Sequence, residues 1–203
     1  SVITLTLAIM LKDLVIDNDT TNFLPKSNPS RILYHEIEES YGGNMLMGIS
    51  IKFKDGFVYS KKNLKFIEEL TDKLEGIPNI NKVTSITNAD YIVGTDAGIE
   101  TAKLIEDLPE SSAHEELIKE KLNSWNIYKG NFYSNDYRST LIAIKLELGA
   151  KNKIAEETYK SVKKILKEYK DLGNDYYVAG LPSILVIIAN SLREDIIRLV
   201  PFV

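Results

Sequence analysis

Apolar residues change their spacing several times along the chain, and each change marks an element. Leu33, Ile37 and Tyr41 fall at i, i+4 and i+8 behind Asn28-Pro29, a capping side chain followed by proline at the first helical position. That pattern predicts a helix from residue 29 to the Gly42-Gly43 pair. Over residues 44–53 the period drops to two: Met47, Ile49, Ile51 and Phe53 alternate with Gly48, Ser50 and Lys52, which describes a strand with one buried face. Asp55-Gly56 supplies a turn. Ser60 then stands at the capping position of a helix over residues 60–75, whose Leu64, Ile67, Leu70 and Leu74 share one face and which Gly76 stops. The β-branched residues of 79–87 read as a strand.

The same order returns further on. Ile142, Ile144, Leu146 and Leu148 alternate with Leu141, Ala143, Lys145 and Glu147 in a strand over 139–148. Ile154, Tyr159, Val162, Leu166 and Tyr169 line one side of a helix over 151–170 that Gly173 ends, and a short strand over 174–179 closes at Gly180. Two β-α-β units in tandem predict an α+β fold of the ferredoxin-like sandwich type, four antiparallel strands with both helices on one face. Between the halves, residues 88–138 form an insertion that such a sandwich does not need. It carries a predicted helix over 112–125 and the aromatic run Trp125, Tyr128, Phe132, Tyr133 and Tyr137. Insertions of this length carry a lid or an interface.

Composition narrows the chemistry. The 203 residues include 25 basic and 29 acidic ones, a net charge of −4, so the global basic field that nucleic-acid binding uses is missing and no nucleic-acid partner is expected. With no cysteine and only His35 and His114, thiolate metal sites, a cysteine nucleophile and histidine-based triads lack their material. Residues 17–21 begin like a calcium loop, but Asn22 stands where glycine belongs and Asn28 where a bidentate glutamate belongs. Gly94 stands alone and makes no phosphate loop. Residues 106–120 hold six acids against Lys119, and residues 151–170 hold seven lysines against three glutamates. Both read first as solvated helix faces, the second also as a match for an acidic neighbour or anionic head groups. No catalytic residue, metal ligand or cofactor is assigned, and the chain is not expected to be an enzyme. Trp125, Tyr128, Phe132 and Tyr133, with Met45 and Met47, are residue types of adaptable apolar surfaces as well as of ordinary cores.

The ends are apolar. Residues 1–11 carry no charge yet fall short of the roughly 20 residues that cross a bilayer, and Lys12-Asp13 follows where a signal peptide would have its cleavage site. Residues 181–189 are nearly all apolar, 191–195 are polar, and the chain turns apolar again to Val203.

An apolar helix end, Val15-Ile16-Asp17-Asn18-Asp19, Phe23-Leu24-Pro25, Asn28-Pro29, a helix ending near Tyr41-Gly42, then a strand: this order resembles the segment outside the first transmembrane helix of RND-superfamily exporters, in the MMPL-like, hydrophobe/amphiphile-exporter branch. The exit is similar too, with Gly180-Leu181-Pro182, Asp195 and Leu199-Val200-Pro201 at the family's glycine-proline, aspartate and proline positions. The resemblance implies that residues 1–12 end transmembrane helix 1. Residues 13–180 would be an extracytoplasmic porter domain, and 181–203 a membrane-surface helix leading into transmembrane helix 2. It implies a place at the cytoplasmic (inner) membrane, on its periplasmic side. The implied role is export of hydrophobic or amphiphilic molecules, lipids or drugs, by a proton-driven homo-oligomer whose remaining transmembrane and second-loop parts are its partners. Trp125, Tyr128, Phe132 and Tyr133 are the candidates for the substrate path. The alternative is the periplasmic polypeptide-handling domain of a protein-export accessory subunit in the same superfamily, binding through a free strand edge.

Overall fold

A computed structural model of the chain describes residues 23–199, apart from 42, 44, 96–97, 126 and 148–151. The expected membrane-helix end over 1–12, the acidic residues 17–21 and the last residues 200–203 lie outside the described ones. The first helix, α1 (Pro29–Tyr41), starts as predicted: the Asn28 side chain accepts the Ser30 N–H at 2.9 Å. Its Leu33 and Ile37 remain exposed, so the apolar face read from their spacing does not enter the core.

The body is an α+β arrangement. Strands β1 (Leu46–Lys52), β2 (Ile80–Thr84), β5 (Ser139–Leu146) and β6 (Asp175–Gly180) make one four-stranded antiparallel sheet in the order β2-β5-β1-β6. Helix α2 (Lys61–Glu75) connects β1 to β2, and α4 (Asn152–Glu168) connects β5 to β6. The alternation seen in the sequence decides which face they cover. Met47, Ile49 and Ile51 of β1 and Ile142, Ile144 and Leu146 of β5 are buried beneath Leu64, Ile67, Leu70 and Leu74 of α2 and Ala155, Val162 and Leu166 of α4. Each fully buried isoleucine or leucine contributes about 1.5–3 kcal/mol, so this layer dominates stability. The other face of the sheet is left open by the described residues. Register places Thr84, Ala143, Gly48 and Ala179 in one row across it, flanked by Leu141, Ser50 and the exposed Tyr177.

One boundary and two helix caps differ from expectation for identifiable reasons. β2 stops at Thr84 rather than 87 because Ser85 and Asn88 take over the hydrogen bonding. The Asn88 side chain accepts the Ser85 N–H at 2.8 Å and donates to the Val83 carbonyl at 2.9 Å. Ser60 does stand at the start of α2, but its hydroxyl donates to the Phe57 carbonyl at 2.7 Å and caps nothing. Gly76 ends α2 in a right-handed conformation, and the left-handed residue of the turn is Asn79, at φ 66°. Gly173 fills its expected role, left-handed at φ 73° behind α4 and the short 3-10 turn Lys170–Leu172.

The last helix, α5 (Leu181–Leu199), starts directly at the end of β6 and runs through the polar residues 191–195 without a break. It packs on α4, β6 and β1. Among the described residues no helix is long and apolar enough to cross a membrane.

Candidate functional site

The insertion is more structured than its sequence advertised. Residues 88–138 hold a two-stranded antiparallel hairpin, β3 (Asp90–Thr95) and β4 (Gly98–Lys103), before the expected helix α3 (Ser112–Ser124). Ser111 caps α3, its side chain accepting the His114 N–H at 3.2 Å. After α3 the chain folds back on the sheet. The Leu141 N–H donates to the Phe132 carbonyl at 3.0 Å, the Thr140 hydroxyl to the same carbonyl at 2.9 Å, and the Ser134 N–H to the Ser139 carbonyl at 2.9 Å. Because β2 pairs only with the far half of β5, these bonds occupy backbone that the sheet itself leaves unpaired.

Aromatic side chains form two chains, one joining the hairpin to the end of α3 and the return segment, the other joining the β1–α2 loop to the return segment. In the first, Tyr91 meets Trp125 (5.4 Å between ring centroids), Trp125 stacks on Tyr128 (5.9 Å, 23°) and Tyr128 meets Phe132 (5.8 Å). In the second, Phe57 stacks on Tyr59 (5.2 Å), Tyr59 meets Tyr137 edge-on (5.5 Å), and Tyr137 stacks on Tyr133 (5.4 Å, 12°). Lysines sit over both: Lys121 lies 5.0 Å from the Tyr91 ring and Lys119 5.8 Å from Tyr59.

The phenol hydroxyls carry out a second task. A helix ends with carbonyls that have no partner along the chain, and α3 ends at Trp125 in extended conformation with no glycine turn. Tyr133 donates to the Leu122 carbonyl at 2.9 Å, Tyr137 to the Asn123 side chain, and Ser124 to the Lys121 carbonyl at 2.7 Å, while Tyr91 and Ser124 share a hydrogen bond at 3.1 Å. Tyr128 donates to the Asp90 carbonyl at the start of the hairpin. Burial raises the pKa of Tyr59, Tyr128 and Tyr133 above the ordinary phenol value, so each stays neutral, Tyr128 and Tyr133 as donors. The return loop is pinned at Asp136, whose carboxylate accepts the Ser134 hydroxyl and the Arg138 N–H; those bonds, the first foremost, hold its pKa below the usual carboxylate value.

The four residues singled out in the sequence therefore divide. Trp125, Tyr128 and Phe132 come together in one aromatic chain; Tyr133 belongs to the other. Tyr128 and Tyr133 are buried with their hydroxyls engaged and belong to the same core as the buried face of the sheet. Trp125 and Phe132 are half-buried and give the cluster its accessible surface, beside the exposed Ile127. Tyr91, Phe57 and Tyr59 complete the arrangement without having been singled out. Only the apolar run Tyr91-Ile92-Val93 hinted at the first of them.

Comparison with protein-family models and with curated protein sequences returns no match for this chain. The chemistry of the site rests on its geometry alone. Among the described residues no three His, Asp or Glu side chains converge to hold a metal ion. Two lysines of the insertion are paired locally, Lys121 with Glu106 at 3.0 Å and Lys119 with Glu116. What the arrangement offers a ligand is polarizable ring surface edged by lysine ammonium groups.

Proposed function

We propose that this chain is an extracytoplasmic porter-type domain that binds a hydrophobic or amphiphilic molecule on the aromatic surface of its insertion, in a membrane exporter of RND type. The observation that carries the reading is the aromatic chain Tyr91-Trp125-Tyr128-Phe132, in which the half-buried Trp125 and Phe132 flank a Tyr128 fixed by its hydroxyl bond to the Asp90 carbonyl. Rings fixed in advance bind apolar matter without losing further side-chain freedom. The architecture supports it as well. Each of two helices links strands separated by one neighbour, in the order β2-β5-β1-β6, which is the arrangement a ferredoxin-like tandem of β-α-β units requires. The open sheet face, with Tyr177 and Leu46 exposed, offers a surface for the remaining parts of a transporter or for another copy. In this reading the domain is a binding element and not an enzyme. It sits on the periplasmic side of the inner membrane, and protons are handled elsewhere.

A polypeptide-handling role finds its support in the free edges of β2 and β6. β2 is poorly suited to accept a strand, being five residues long, bulged between Ile80 and Lys82 and carrying lysine at its edge.

Native mass spectrometry of the purified chain, with parallel lipid extraction, tests the proposal. A retained lipid or fatty acid that is lost in Trp125→Ala and in Phe132→Ala is the expected result. A ligand-free protein that captures unfolded peptides instead overturns it in favour of the polypeptide-handling role.

A further inference from the structure

Of the two lysines that lie over rings of the cluster, Lys121 is the one beside its accessible part. It stands one helical turn before Trp125, so the two side chains share a flank of α3. Tyr91 of the hairpin touches both: its ring lies 5.4 Å from that of Trp125 between centroids and 5.0 Å from the Lys121 ammonium. The Tyr91 hydroxyl is bound to Ser124, whose own hydroxyl donates to the Lys121 carbonyl at 2.7 Å. Ammonium, phenol and indole are thereby fixed as a set. An ammonium has three N–H donors. Lys121 gives one to the Lys103 carbonyl at 3.1 Å and one to the Glu106 carboxylate at 3.0 Å, and no described residue accepts the third. The Lys121 side chain is 28% exposed and therefore reachable, while that of Glu106 is 64% exposed. A pair so open to water is weak, and a ligand can take the place of its carboxylate.

The acids of α3 look elsewhere. Glu116 and Glu120 follow at i and i+4 on the outward side of the helix with the exposed Leu117, turned about 100° or more around the axis from Lys121. Glu115 accepts the Lys61 N–H of α2 at 2.9 Å. The charge in contact with the accessible rings is thus positive. A cationic ligand would meet a Tyr91 ring already faced by an ammonium, whereas an anionic one finds an unfilled donor and gains a charge-assisted hydrogen bond. We infer that this aromatic surface selects amphiphiles with an anionic head, a carboxylate or a phosphate. The alkyl chain lies along Trp125 and Phe132, and Lys121 binds the head in place of Glu106. The inference deepens the porter reading and rests on it: that reading requires an apolar body of the ligand, and Lys121 adds the sign of its head.

The experiment is titration of the full 203-residue chain with decanoate, decanol and decyltrimethylammonium at neutral pH, each below the concentration at which it aggregates, followed by Trp125 emission. The expected order of affinity is decanoate, then decanol, then the quaternary ammonium. Lys121→Gln should weaken decanoate about fivefold, to the level of decanol, and leave decanol unmoved. Glu106→Gln, at an exposed position, should tighten decanoate, because it removes the carboxylate that competes for Lys121. Equal affinity for decanoate and decanol in the wild type overturns the inference and leaves the porter reading standing. Preference for decyltrimethylammonium overturns it in favour of a site governed by the acids of residues 106–120. A decanoate preference that survives Lys121→Gln, or that does not grow in Glu106→Gln, overturns the assignment of the head to Lys121. No saturable response to any of the three overturns the inference together with the reading it rests on.

Discussion

Gly180 is the position at which a single atom matters most. The chain leaves β6 and enters α5 there with φ at 117°, and a Cβ would lie 2.3 Å from the Leu46 carbonyl oxygen and 2.8 Å from the Met47 Cα. Neither neighbour is the end of a flexible side chain; both belong to the central strand. Gly180→Ala is therefore expected to cost about 3 kcal/mol or more, from strain at positive φ together with the displaced backbone. Urea denaturation measures it, and a loss below about 1 kcal/mol would mean that the junction can relax. The buried phenols are a second residue-scale feature, and they fix a direction with pH. Tyr59, Tyr128, Tyr133 and Tyr176 have pKa values raised by burial, so folding favours their neutral form. Their contribution is fully present below the unfolded phenol value of about 10 and is lost as pH rises through the higher folded values. Stability should fall above about pH 10 more steeply in the wild type than in Tyr133→Phe, measured by denaturation midpoints across alkaline pH. Parallel curves would count against it.

Among the elements, α2 shows what local sequence can and cannot disclose. Its buried face was readable because Leu64, Ile67, Leu70 and Leu74 repeat with the helix period, which depends on nothing distant. Its cap was not. The Lys61 N–H donates at 2.9 Å to Glu115, which lies 54 residues further on in α3, while the neighbouring Ser60 turns away. A carboxylate at a helix N-terminus also meets the positive end of its dipole. Glu115→Ala is expected to cost about 1 kcal/mol and to loosen α3 against α2, seen as faster amide exchange at the first turn of α2. Unchanged exchange there would mean the bond is incidental. The β3–β4 hairpin escaped notice for a related reason. It joins no strand of the main sheet, so it adds nothing to the β-α-β repeat that organised the rest. The aromatic run was visible as composition, but its division into an accessible pair and a packed set depends on which hydroxyls find a carbonyl, and that is decided by the fold.

At the scale of the molecule, a sheet with helices on one face, its other face left open by the described residues, shares one continuous core with an insertion rich in aromatic rings. The sequence disclosed the α+β layering because both halves repeat strand, helix and strand, and each period is local. The register of the strands was not written in those periods; it is fixed by pairings between distant segments, β1 lying between β5 and β6. The proposed function needs the insertion to be a receiving surface, and one side chain can report on that without a label. Trp125 is the sole tryptophan of the chain, it is half-buried, and it stacks on Tyr128 in the aromatic chain that ends at Phe132. The direct measurement is Trp125 emission during titration with a long-chain fatty acid below its micelle concentration. A saturable blue shift in the wild type that is lost in Phe132→Ala is the expected result. Emission that stays constant, or shifts identically in that variant, would contradict a ligand site on the insertion and leave its aromatic residues with a structural role only.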